Sequence, residues 1–124
     1  MREVSGKEQL MCNIMVKMGI EVETAKKIIT EELEKERIKV EKVIVFGSRA
    51  RGDFHKGSDW DFFVVVNKEL NFTQKRAVIL RIRRRMAETR IPNDIIIQAE
   101  AIVNQRKNNT GYITYYALKE GIDI

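Results

Sequence analysis

The sequence predicts a single small α+β domain, an α/β two-layer sandwich, and three observations predict it. The first is size: 124 residues bury roughly two-thirds of their unfolded surface, enough for one core but not for a separate substrate-binding lobe. The second is that β-branched and aromatic runs alternate with stretches of helical period. The third is a globular balance of 44% hydrophobic and 33% charged residues, without repeats, low-complexity runs or linkers.

Taken in chain order, Leu10, Met11, Ile14, Met15 and Met18 recur at helical spacing and predict a first helix ending near Gly19. A second helix is expected from Glu21 or Glu23 to about Arg37. Its apolar face is Val22, Ala25, Ile28, Ile29 and Leu33, and the opposite face, Glu31 to Glu36, reads as solvated. Val40 to Phe46 is a strand broken by Gly47-Ser48, Asp59 to Val66 a second, and Pro92 to Gln98 a third. Phe72 to Glu88 is a helix with Ile79, Ile82 and Met86 inward, limited by Pro92. A short helix over Ala99 to Arg106, a loop, and a last helix over Tyr112 to Lys119, stopped by Gly121, complete the order ααβ(loop)βαβαα.

Several classes are excluded early. The longest apolar stretch, Leu10 to Ile20, carries Asn13 and Lys17 and falls short of a bilayer span. The opening Met1-Arg2-Glu3 has no compact apolar block of a signal peptide. Cys12 is the sole cysteine, so no intrachain disulfide can form, and it reads as an inert core thiol. No membrane association and a cytoplasmic location are the expectation.

The net charge of +5 resides wholly in residues 71 to 124, which hold 10 basic and 5 acidic side chains. Lys75, Arg76, Arg81, Arg83, Arg84, Arg85 and Arg90 stand there against Glu88 alone up to residue 90. This is either a solvated helix face or a patch facing phosphate or an acidic partner.

The chemistry is concentrated in Phe46-Gly47-Ser48-Arg49-Ala50-Arg51-Gly52 and Lys56-Gly57-Ser58-Asp59-Trp60-Asp61. Gly47 and Gly52 have Walker spacing, but Asp53-Phe54 follow where Lys-Ser/Thr would be needed, so a P-loop is excluded; no G-x-G-x-x-G occurs either. Gly47-Ser48 after a buried strand still suits a phosphate cradle, in which backbone N–H groups and a hydroxyl donate to anionic oxygens. Arg49 and Arg51 would add charge-assisted contacts. Asp59 and Asp61, two apart on a strand, project to one face roughly 6.6 Å apart and converge on a cation. A solvent-exposed strand entry is the alternative, but Trp60 and Phe62 to Val66 mark an inner strand. Asp94 opens the next strand; if that strand lies beside the second, three hard-oxygen ligands gather that suit Mg²⁺ or Mn²⁺. The face carrying Phe63 and Val65 needs a cover, either the N-terminal helices or a partner chain.

Gly47-Ser48, ten intervening residues, then Asp59-Trp60-Asp61 resembles the G-S-x10-D-x-D signature of the minimal nucleotidyltransferases in the DNA polymerase beta superfamily. The likeness extends to Arg49-Ala50-Arg51-Gly52, Ser58, Ile91-Pro92-Asn93-Asp94 and the ending Ala117 to Gly121, and so spans residues 40 to 124. It implies a small mixed sheet with helices, the polymerase beta-like fold. It divides the single 1–124 domain into an N-terminal helical extension, 1–38, and a catalytic core, 39–124. It also implies transfer of a nucleoside monophosphate, AMP from ATP, to a hydroxyl, with two Mg²⁺ (or Mn²⁺) ions. In that scheme Gly47, Ser48, Arg49, Arg51 and Ser58 hold the nucleotide, Asp59, Asp61 and Asp94 hold metal, and Asp94 helps deprotonate the acceptor. Family members of this size resemble the antitoxins that pair with a HEPN ribonuclease toxin, and a chain this short has little room for its own acceptor site. A HEPN-type partner protein is therefore expected. A small-molecule or RNA-end acceptor, a non-catalytic binding module and a homo-oligomer stay open as alternatives, with nucleic acid less favoured. His55 reads as a loop residue, Trp60 as core, and Tyr112, Tyr115 and Tyr116 as packing on the sheet.

Overall fold

Three runs rich in β-branched and aromatic residues build the sheet, and two short segments without recognisable period complete the fold. The computed structural model describes residues 6–124, with side chains from residue 19 onward. The chain runs α1 (Gly6–Lys35), β1 (Val40–Phe46), α2 (Ser48–Arg51), β2 (Trp60–Val66), α3 (Phe72–Glu88), β3 (Asn93–Ala99), α4 (Glu100–Arg106), α5 (Ile113–Glu120) and β4 (Ile122–Asp123). Strand order is β3-β2-β1-β4. β1 is antiparallel to β2 and β4, whereas β3 is parallel to β2, with α3 making the crossover that a parallel pair requires. The result is the mixed-sheet α+β fold expected.

Each face of β2 is apolar because each is covered. Val43, Val45, Trp60, Phe62, Val64, Ile95 and Ile97 pack in one core with Val22, Ala25, Ile28, Ile29 and Leu33 of α1 and Val78, Ile82 and Met86 of α3. On the other face, Ile44, Phe63 and Val65 pack with Val103 of α4 and Ala117 of α5. The cover for Phe63 and Val65 is thus neither the N-terminal helices nor a partner chain but the C-terminal pair of helices.

The two expected N-terminal helices are one. Glycine within a helix costs about 1 kcal/mol, too little to break a segment whose second half buries five apolar side chains. The expected methionine stripe and Cys12 lie outside the residues whose side chains are described. Two elements were not foreseen: α2, a four-residue turn of helix, and β4, whose Ile122 is buried against β1. The last strand returns tightly past α5, since a Cβ on Gly121 would stand 2.2 Å from the Ala117 carbonyl oxygen and 2.3 Å from the Ile44 side chain.

The acidic face of α1 is solvated only in part: Glu34 and Lys35 are exposed, as expected, but Glu32 is not. Glu32 is 1% exposed and accepts from Lys35 (2.7 Å), Arg81 (3.1 Å) and Arg85 (3.2 Å). Arg81 also donates to Glu36 and Arg85 pairs with Glu31. Hydrogen bonding from Lys35, ahead of the opposing effect of burial, holds the Glu32 carboxyl below its ordinary 4.5. Glu32→Gln is expected to cost about 2–3 kcal/mol, a buried-pair loss moderated because the arginines keep Glu36 and Glu31. Urea denaturation at pH 7 measures it. A carboxylate with a depressed folded pKa stabilises above its unfolded value and loses that contribution as pH falls through the folded one. The gap between wild type and variant should therefore close below pH 4.5.

Candidate active site

At the end of β1 the chain must turn sharply into α2, and Gly47 makes the turn. Its φ of 72° and ψ of −154° lie in a region open essentially to glycine alone. A Cβ there would stand 2.2 Å from Asp61 Oδ2. The missing side chain is therefore what lets the Asp61 carboxylate lie against the turn. Ser48 opens α2, within which the amides of Ala50 and Arg51 bond to the Gly47 carbonyl and that of Gly52 to Ser48.

Register brings the acids together. Phe46 is paired with Asp61 across β1 and β2, and Asp61 with Asp94 across β2 and β3. Neighbouring residues at paired positions share a sheet face, so Asp61 and Asp94 lie side by side, just beyond the apolar rows that α4 and α5 cover. Asp59 precedes β2 and is exposed. Burial, then the charges of Asp94 and Asp59, push the Asp61 carboxyl above its ordinary 3.8, against a smaller opposing pull from Arg51. Burial and two neighbouring carboxylates at one end of the sheet thus both disfavour charge on Asp61.

The family model described as "Polymerase beta, Nucleotidyltransferase" matches residues 26–124. The chain belongs to the polymerase beta nucleotidyltransferase family. This nucleotidyltransferase also resembles the crystal structure of a candidate nucleotidyltransferase from Sulfolobus solfataricus. The TM-score is 0.53 at 22% identity, over 99% of this chain and 89% of that one, a likeness of fold. No curated protein matches it.

Around the candidate site, the other residues expected to hold nucleotide differ in placement. Arg51 is half-exposed and within 3.4 Å of Asp53. Arg49 is buried (2% exposed), with its guanidinium 4.6 Å from the Phe54 ring centre and 4.7 Å from that of Trp60. It donates to the carbonyls of Ser58 and Lys56. In this arrangement Arg49 braces the loop that delivers Asp59. The Ser58 hydroxyl accepts from the His55 amide, and His55 Nδ1 from that of Gly57, so both side chains shape the same exposed loop. Trp60 is core, as expected, and donates to Glu21 of α1.

The basic run of α3 resolves into distinct sets. Arg81 and Arg85 face α1. Arg83 reaches the β3 edge, where its Nη2 donates to Asp94 Oδ1 at 3.1 Å. This partner of an expected metal ligand was missed, because eleven residues on separate elements leave no spacing signal. Among the described residues no group of three or more His, Cys, Asp or Glu is arranged to hold an ion. The chemistry of the donors nevertheless fits a divalent cation: hard oxygens of the kind Mg²⁺ and Mn²⁺ take, mutually repelling at Asp61, beside a turn cleared by glycine. Asp59 and Asp94 are exposed, Asp94 to 61%, with Asp61 partly buried between them, so a substrate would lie on an open ledge. Among the described residues no helix is long and apolar enough to cross a membrane.

Proposed function

We propose that this chain transfers AMP from ATP to a hydroxyl of a partner protein, a HEPN-type toxin, and so serves as an antitoxin. The observation that carries the transfer reading is the Asp61–Asp94 register beside the Gly47 turn, with Asp59 on the strand's approach. Asp59, Asp61 and Asp94 would hold Mg²⁺, which when bound neutralises the triphosphate and stabilises charge on the entering and leaving oxygens. The Ser48 amide and hydroxyl, at the start of the turn, donate to phosphate oxygens, and Arg51 adds a mobile positive charge. Asp94, exposed at the β3 edge, accepts the acceptor's proton. The acceptor oxygen bonds to the α-phosphorus as the bond to the bridging oxygen breaks, and pyrophosphate leaves.

The open ledge favours an acceptor brought by another macromolecule. Protein is favoured over RNA because Arg81, Arg83 and Arg85 are engaged with carboxylates of the same chain, which removes much of the basic patch.

Incubation with Mg²⁺ and ATP labelled at the α- or the γ-phosphate tests the reading on the purified chain plus a HEPN-type partner. Label should pass to the partner from the α-position alone. Transfer from the γ-position, or α-label on RNA and not on protein, would overturn it.

A further inference from the structure

Asp94 is engaged by an arginine of its own chain, and that arginine differs from its neighbours. Arg81 and Arg85, on the α1-facing side of α3, are fixed to Glu32, and Val78, Ile82 and Met86 anchor the helix in the core. Arg83 projects elsewhere from the same anchored helix, and its ion pair with Asp94 is 50% and 61% exposed on the two sides. An exposed pair of this kind is weak and exchangeable, so the contact contributes little to the fold. Its cost falls on the site instead: it commits one Asp94 oxygen to a cation already present, while the described acids together form no enclosed ion site.

We propose that Arg83 is a resident counter-cation that competes with the divalent ion for Asp94, so that the third carboxylate is recruited only when metal displaces the guanidinium. The inference rests on the reading of Asp94 as a metal ligand. Arg83 is a positioning residue here: it touches the carboxylate and no reacting atom. Its neighbour Arg84, also exposed on α3, makes no contact with Asp94 and carries the same charge.

Calorimetric titration of the metal-free chain with Mn²⁺ alone, without nucleotide, separates the possibilities. Arg83→Gln should tighten Mn²⁺ binding about two- to fivefold, the range an exposed ion pair is worth. Arg84→Gln should tighten it less, by loss of general positive charge only. In an Asp94→Asn background, Arg83→Gln should bring no gain beyond that of Arg84→Gln. Equal effects of the two arginine variants, or a gain from Arg83→Gln that persists without Asp94, would overturn the proposal. Failure of the wild type to take up Mn²⁺ through Asp59 and Asp61 would instead remove the metal-site reading, and the competition with it. Circular dichroism of Arg83→Gln should match wild type, since the pair is on the surface.

Discussion

Asp61→Asn should lower nucleotidyl transfer by at least about a hundredfold, since even groups that merely support a metal ligand cost 10- to 100-fold when removed. The same substitution should make the metal-free protein more resistant to heat. Burial and the charges of Asp94 and Asp59 raise the Asp61 pKa, so the ionised form is disfavoured by folding. A carboxyl raised in the folded state adds stability below its unfolded pKa and loses it as pH rises through the folded one. At neutral pH the wild type therefore bears the full penalty and the neutral amide does not. Thermal melts without metal should place Asp61→Asn above wild type at pH 7, with the difference vanishing below pH 3.8. Added Mg²⁺ with ATP should raise the wild-type melt and leave the variant unmoved. A variant that transfers normally, or melts lower than wild type at pH 7, would count against a strained metal ligand at this position.

Gly47→Ala should damage both stability and transfer. Alanine would have to adopt φ 72° and ψ −154°, a strain of about 1–3 kcal/mol, and its Cβ would displace the Asp61 carboxylate from a point 2.2 Å away. A further overpacking cost of about 1–3 kcal/mol is ordinary for such crowding. Denaturant melts should show a loss of about 2–6 kcal/mol in total. Transfer should fall with Asp61→Asn-like severity even in the fraction that folds. Combining the change with Asp61→Gly should recover the crowding part of the loss by clearing the space, but neither the backbone strain nor the activity. If Gly47→Ala folds and transfers as wild type, the close approach of turn and carboxylate is not what the site depends on.

The parts of this fold legible in the sequence are those where one physical signal dominates. The bounds of α3 follow from its apolar period and from Pro92. Strands β1 to β3 follow from β-branched runs. The long helix α1 was read as two, because the presence of Gly19 is visible and the packing that outweighs it is not. The strand β4 and the helix α2 are too short to show a period. At the site, spacing and residue type point to Gly47, Asp59, Asp61 and Asp94, and strand register sets Asp61 and Asp94 side by side. The burial of Glu32 and the pairing of Arg83 with Asp94 are not legible, since charge in a sequence says nothing of which neighbour will neutralise it. Only the tertiary fold sets Arg49 between Phe54 and Trp60, or buries Glu32 among three cations.

The parallel seating of β3 on β2 has one last consequence. The bond from the Trp60 amide to the Pro92 carbonyl pins the four residues between α3 and β3, and side chains alternate along a strand. Insertion of a single residue there would turn Asn93 toward the ledge and bury Asp94 beneath α3, whereas a two-residue insertion would restore the face but carry Asp94 roughly 6.6 Å along the strand, opposite Phe63 instead of Asp61. The spacer after α3 thus acts as the gauge that fixes which residue stands beside Asp61.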